Sequence, residues 1–356
     1  MGEGLKLTVH FGERDRCGGR LLSDVLMKTH ERQGIQTSLL LRGLEGFGLK
    51  HRLQTERLLT LSEDLPILAV ALDSPPAIQA LMEEVRSLAR QGLITLERVR
   101  LLEAGESELP ASSPGEELKL TVHVGRQERA AGRQAHLAVV DCLHRNGLGG
   151  ASVLLGLDGT AHGVRRRARF LAGNGDVPVM VVSVGERASI AGALPELQRM
   201  LEHPTLTLER VRVCKRDGVL LAVPEQATSP DDSGLARWQK LVVYASESSR
   251  HGREPLHSAL VRRLRAEGAA GATAMRGLWG YHGDHPPHGE RFWSLARHVP
   301  VLTVALDTPQ RMGRWFEIVD EVTAETGLVT SEVVPALRAS GPEVGHGGLE
   351  LAAPGF

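Results

Sequence analysis

The feature that most constrains this chain is that it is written three times. LKLTVHFGERDR, from Leu5, returns as LKLTVHVGRQER from Leu118 and more loosely as QKLVVYASESSR from Gln239. The far end of the unit repeats too: ITLERVRLL at Ile94 becomes LTLERVRVC at Leu206, and GLITLERV at Gly92 is answered by GLVTSEVV at Gly327. Internal similarity at a fixed spacing means one structural unit used repeatedly. The boundaries read as units at 1–103, 118–215 and 238–338. Linkers rich in Pro, Ser, Gly and acidic residues occupy 104–117 and 216–237, and a Gly-rich tail read as disordered follows at 339–356.

The first copy is the easiest to read. Leu5–Phe11 alternates apolar and polar side chains, the period of a half-buried strand. Leu21–Gln33 places Leu22, Val25, Leu26 and Thr29 on one helical face, and Gly34 stops it. Ile35–Leu41 and Ile67–Leu72 read as strands. Asp73-Ser-Pro-Pro opens a second helix with the stripe Ile78, Leu81, Met82, Val85, Leu88, and Leu93–Leu101 is a last strand. The order βαββαβ predicts an α+β, ferredoxin-like unit: four antiparallel strands with both helices on one face. The other face is left bare. Three bare faces favour a closed pseudo-trimer over separate beads, which would leave apolar sheet in water.

Between the second and third strands each unit carries a long segment. It is RGLEGFGLKHRLQTERLLTLSEDLP from Arg42, LGLDGTAHGVRRRARFLAGNGDVP from Leu155 and RGLWGYHGDHPPHGERFWSLARHVP from Arg276. A long loop kept on three scaffolds is the first place to seek function. Arg42 and Arg276 sit at strand ends beside Gly43 and Gly277, and with Gly46, Phe47, Gly48, Lys50, Arg52, Gly280 and Tyr281 they are the candidate ligand-binding residues. The glycines either turn the loop base or offer backbone N–H groups to an anion. Gly43 and Gly48 have the spacing of a phosphate-cradling loop, but Leu49 stands where its lysine should be. Loop cations (Lys50, His51, Arg52 and Arg57; Arg165, Arg166, Arg167 and Arg169; Arg276 and Arg291) are either a positive rim or ordinary solvated charge. His282, His285 and His288, with Asp284, offer zinc or copper donors in the third unit alone. Trp279, Tyr281, Phe292 and Trp293 gather there in a chain only 3% aromatic, as partner anchors or as packing for the loop base.

Several function classes lose ground. A net charge of −1 and a pI near 7.0 give no field for nucleic acid, and the sheet lacks aromatic platforms for bases. No apolar run approaches a membrane helix and no signal-peptide apolar region opens the chain, so a cytoplasmic protein is expected. Cys17, Cys142 and Cys214 form no CxxC pair and read as idle thiols. GxSxG, HExxH and paired Cys/His arrangements are absent from the sequence, so no catalytic residue and no cofactor is assigned.

LKLTVHFGERDR…GIQTSLLLRGLEGFG…LSEDLPILAVALDS…GLITLERV resembles the uncharacterised PII-like family known as domain of unknown function 190. The first unit matches throughout, and the third keeps Arg276-Gly277, Gly280-Tyr281 and Val299-Pro300. The second departs, with Leu155 for the arginine and Thr160 for the aromatic. The resemblance implies a ferredoxin-like fold that trimerises, here fused into one monomeric chain. It implies a non-enzymatic regulator with a small effector, typically a nucleotide, between units, and long loops that meet a protein partner. The glycine-rich phosphate loop of true PII proteins is missing, since Arg90-Gln-Gly92 stands in its place. A second reading is a metal-tolerance protein of the trimeric ferredoxin-like kind, using His282, His285 and His288.

Overall fold

The structure, a computed structural model, describes residues 2–48, 54–55, 64–89, 92–103, 105–106, 109, 115–167, 177–225, 236–282, 287–289 and 299–338. Each unit has the expected order of elements. In unit 1 the long strands are Gly2–Gly12, Thr37–Arg42, Pro66–Asp73 and Leu93–Leu102, with helices Leu22–Arg32 and Pro75–Leu88. Pro75 and Pro76 begin the second helix, where a fixed φ helps and a missing N–H costs nothing. The first strand pairs antiparallel with both the third and the fourth, and the third also pairs with the second. The sheet order is therefore second, third, first, fourth. Unit 2 repeats this with Glu116–Gly125, Gly150–Leu155, Pro178–Gly185 and Thr205–Arg216, and unit 3 with Ala236–Ser246, Gly271–Arg276, Pro300–Asp307 and Leu328–Arg338.

One apolar cluster lies under the helices of each unit: Leu26, Ile35, Ile78 and Leu81 in unit 1, Val139, Leu143, Leu194 and Leu197 in unit 2, Leu260, Leu264, Trp315 and Val319 in unit 3. A fourth cluster joins the opposite sheet faces of all three units, with Leu41, Leu68, Leu154, Val182, Met275 and Leu302 among its members. The bare faces thus cover one another, which removes them from water.

Both edges of each sheet continue into a neighbour. After the second strand the chain turns back in a hairpin whose first strand is Glu45–Phe47, Asp158–Ala161 or Trp279–His282. These strands pair with the second strands of other units. Unit 1 reaches onto Gly271–Arg276, unit 2 onto Thr37–Arg42 and unit 3 onto Gly150–Leu155. The fourth strands meet in the same circular fashion: Leu206–Leu208 with Arg100–Leu102, Leu328–Ser331 with Arg212–Arg216, and Ala336 and Arg338 with Thr95 and Ile94. Among the described residues these pairings cover part of each edge, the usual site of unwanted pairing. Within the stretch read as the second linker, Val219–Leu220 folds back on Lys215–Arg216.

Candidate functional site

Three regions concentrate polar chemistry: a charge ring at the centre, two clefts at unit seams, and the hairpin bases. The ring follows from strand register. Lys6 lies opposite Glu97, Lys119 opposite Glu209 and Lys240 opposite Glu332, each pair on the first and fourth strands of one unit. Every lysine also reaches the next unit's glutamate. Lys6 bridges Glu97 (3.1 Å) and Glu209, Lys119 bridges Glu209 (3.3 Å) and Glu332 (2.6 Å), and Lys240 bridges Glu332 (2.8 Å) and Glu97 (2.5 Å). Six alternating charges close on themselves.

Burial opposes ionisation of Glu97, but the ammonium groups of Lys240, Lys6 and Lys119 outweigh it and hold the carboxyl well below its ordinary range. Glu332 is lowered against the same burial by Lys119 and Lys240. Burial also works against the charge on Lys240, and Glu332, Glu97 and Glu209 reverse this and raise it. The three carboxylates, with ligand atoms within 4.8 Å of one another, are the one such donor group found among the described residues. Their three lysine partners already neutralise them.

Two and four residues along the first strands come Thr8, Thr121 and Val242, then His10, His123 and Tyr244. Burial, opposed by Glu97 and reinforced by Lys240, depresses His10 to about 4. Burial, with Lys6 adding to it, depresses His123 to about 3. Both are neutral imidazoles near pH 7.

The cleft between units 1 and 2 measures about 320 Å³ and is bordered by Thr37, His123, Gly125, Thr160, His162, Arg166 and Thr205, with Glu128 at its rim. His162 and Gly163, both at positive φ, form the tight hairpin turn that brings Thr160 and Arg166 to this wall. The cleft between units 2 and 3 measures about 160 Å³, with Ser152, Ser183, Arg216, Asp217, Tyr244 and His282 among its lining residues.

The hairpin bases locate most of the predicted residues. Arg42 pairs with Glu13 at 3.1 Å, and Arg276 pairs with Glu247 in the equivalent place. Unit 2, where Leu155 replaces the arginine, has Arg126 where the others have the acid, so both partners of the pair change together. The N–H groups of Gly43 and Gly277 donate to the carbonyls of Pro66 and Pro300, both at 2.7 Å. A methyl group on Gly46 would sit 2.5 Å from the carbonyl oxygen of Ala272, and on Gly280 2.2 Å from that of Ala151. Only glycine lets the hairpin strand lie so close to its neighbour. Phe47 enters the helix-side core of unit 3 and Tyr281 that of unit 2, where its hydroxyl donates to the Leu148 carbonyl at 2.8 Å. Thr160 takes the corresponding place beside unit 1 and is hydrogen-bonded to the Ser38 hydroxyl at 2.9 Å. Gly48 follows Phe47 with open space around it.

Of the loop cations, Arg165 is held by Asp158 at 2.5 Å and by Asp24 of unit 1 at 3.2 Å, and Arg167 meets Asp24 at 3.3 Å. His282 Nε2 lies 2.7 Å from Asp217 Oδ1, and His288 pairs through its backbone with Gly280. Lys50, His51, Arg52, Arg57, Arg169, Asp284, His285, Arg291, Phe292 and Trp293 lie outside the described residues, as does the tail 339–356. The charge ring is the group that reading for motifs misses. Its signal is present: Lys6, Lys119 and Lys240, like Glu97, Glu209 and Glu332, are identical in all three copies on strands whose one face has no helix to cover it.

Comparison with known proteins agrees with the repeat. The family model described as "Uncharacterized ACR" (domain of unknown function 190) matches over residues 4–101, 117–213 and 238–336. A curated relative, a UPF0166 protein of Aquifex aeolicus, is 24% identical over 96 residues, which is 27% of this chain and 90% of that protein. The relative is thus about the length of one unit. No helix among the described residues is long and apolar enough to cross a membrane. The chain belongs to the uncharacterised ACR family, domain of unknown function 190, and carries it in three tandem copies.

Proposed function

We propose that this protein is a non-enzymatic, PII-like sensor of the cytoplasm: a monomeric, ferredoxin-like pseudo-trimer. It binds a small anionic effector between its units and reports to a protein partner through its long hairpins. The observation that carries this is the cleft between units 1 and 2, where hydroxyl, imidazole and guanidinium groups converge in about 320 Å³. That volume suits a small ligand. The hairpin of unit 2 forms one wall, so an effector there touches the segment that crosses to unit 1. Arg42 and Arg276 would exchange Glu13 and Glu247 for an effector or an acidic partner. The Arg42–Glu13 pair is half-exposed, and pairs of that kind are cheap to break.

The copies are not equivalent. His123, His162 and Arg166 border one cleft, and Tyr244, Asp217 and His282 the next, so equal occupancy of three sites is not expected. The metal reading gains no support from His282, which is engaged by Asp217.

A thermal-shift panel of adenine nucleotides, cyclic nucleotides, bicarbonate, phosphate and divalent metals tests this reading. An effector at a hundred times its dissociation constant should stabilise the fold by about 2.7 kcal/mol. The effect should be lost in Arg166→Ala and weakened in Arg42→Ala. Silence to every anion, or a hit that survives both substitutions, would overturn the assignment.

A further inference from the structure

The fourth apolar cluster joins the sheet faces of all three units, and its Leu68, Val182, Met275 and Leu302 keep exposures of 4–6%. These central side chains line a chamber of about 120 Å³ where the three sheet faces meet. Its walls repeat in threes: Leu41, Leu154 and Met275 from the second strands, Leu68, Met180 and Leu302 from the third. Along the first strands the charge ring and the level of His10, His123 and Tyr244 stand about 13 Å apart, at roughly 3.3 Å per residue.

We propose that this chamber is a second ligand site, separate from the seam clefts, for a small amphipathic molecule of the size and chemistry of a phenol. Its apolar body would lie against the leucine and methionine walls, and its hydroxyl would hydrogen-bond to the His123 imidazole.

Three observations converge. Apolar chambers of this order accept benzene-sized guests. His123 is nine-tenths buried, lines the chamber, and its Nδ1 has no hydrogen-bond partner. A buried polar atom in that state calls for one. Lastly, three lysines and three glutamates neutralise one another, which leaves no net charge to hold an ion. His123 is itself neutral, so one ring nitrogen is an acceptor. It also borders the unit 1–2 cleft, as Tyr244 borders the other, so a guest in the chamber would lie directly behind both. The chamber stands independently of the effector reading.

The test is to titrate phenol, benzene and inorganic phosphate into the full chain labelled at methionine methyl groups. Met180→Leu and Met275→Leu assign the two chamber signals, and neither methionine borders the two clefts. Phenol is expected to shift both signals saturably and to bind about fivefold more tightly than benzene, the worth of one neutral hydrogen bond. In His123→Phe that preference should vanish. Unmoved methionine signals at high phenol, movement by phosphate instead, or equal affinity for benzene would each overturn the proposal. The wild-type comparison decides the matter even if His123→Phe does not fold.

Discussion

Lys119 shows how much can hang on one side chain. It is buried, and it answers Glu209 of its own unit and Glu332 of the next. Lys119→Met would leave Glu209 with Lys6 alone and Glu332 with Lys240 alone, one buried negative charge in excess, and breaking buried pairs of this kind typically costs about 3–5 kcal/mol. Urea unfolding should show that loss, and a variant within 1 kcal/mol of wild type, roughly the worth of a surface pair, would mean that the ring is solvated. Replacing all six charges by Leu and Met tests the complementary point. Such a core is expected to match or exceed wild-type stability, because it no longer bears the cost of desolvating six charges. The cysteines give a cheaper test. Burial pushes Cys142 and Cys214 up to about 12, while Cys17 is half-exposed, so a thiol reagent should label one cysteine in the native chain and three after denaturation. Rapid labelling of all three would contradict the packing of the unit 2 and unit 3 cores.

Among the elements, the strands and helices were the legible part. Period-two alternation at Leu5–Phe11 and the stripe from Ile78 onward correspond to the observed strand and helix, because each is decided by neighbours close in sequence. The hairpins were not legible as assembly elements. Beyond its own hairpin, Glu45–Phe47 pairs with residues more than 200 positions away, and nothing local announces that. The repeated glycines carried half of the message, since their spacing marks where two backbones touch rather than which two. Gly159 is the tightest: a methyl there would lie 2.0 Å from the Ser38 carbonyl oxygen. Gly159→Ala is expected to cost about 1–3 kcal/mol as an overpacked contact, and Phe47→Ala about 3–5 kcal/mol as a cavity in the core of a different unit. Both are read by thermal or urea unfolding. If Phe47→Ala were silent, the hairpin of unit 1 would not be docked on unit 3.

For the whole molecule, acid is the revealing condition. Burial holds His10, His136 and His257 down at about 4 and His30 and His123 at about 3, against an unfolded value near 6.5. Their folded values are depressed, so the unfolded chain binds more protons as pH falls below 6.5, and stability declines from there toward pH 4. Near pH 5 unfolding should take up about five protons, measurable as the slope of stability against pH. Uptake of one proton or none would mean that these imidazoles meet water in the folded state. Glu97 and Glu332 act lower still, since their contribution is complete above the ordinary carboxylate range and is lost only in stronger acid.

The direction of the hairpin exchange sets a timetable for synthesis. Unit 1 is covered by the arm of unit 2, which leaves the ribosome soon afterwards, and unit 2 by the arm of unit 3. The arm of unit 1 must wait for the second strand of unit 3, the last to be made. A nascent chain stalled before Gly271 would therefore hold Phe47 with no socket to enter, and the circle would close only as its final third emerges.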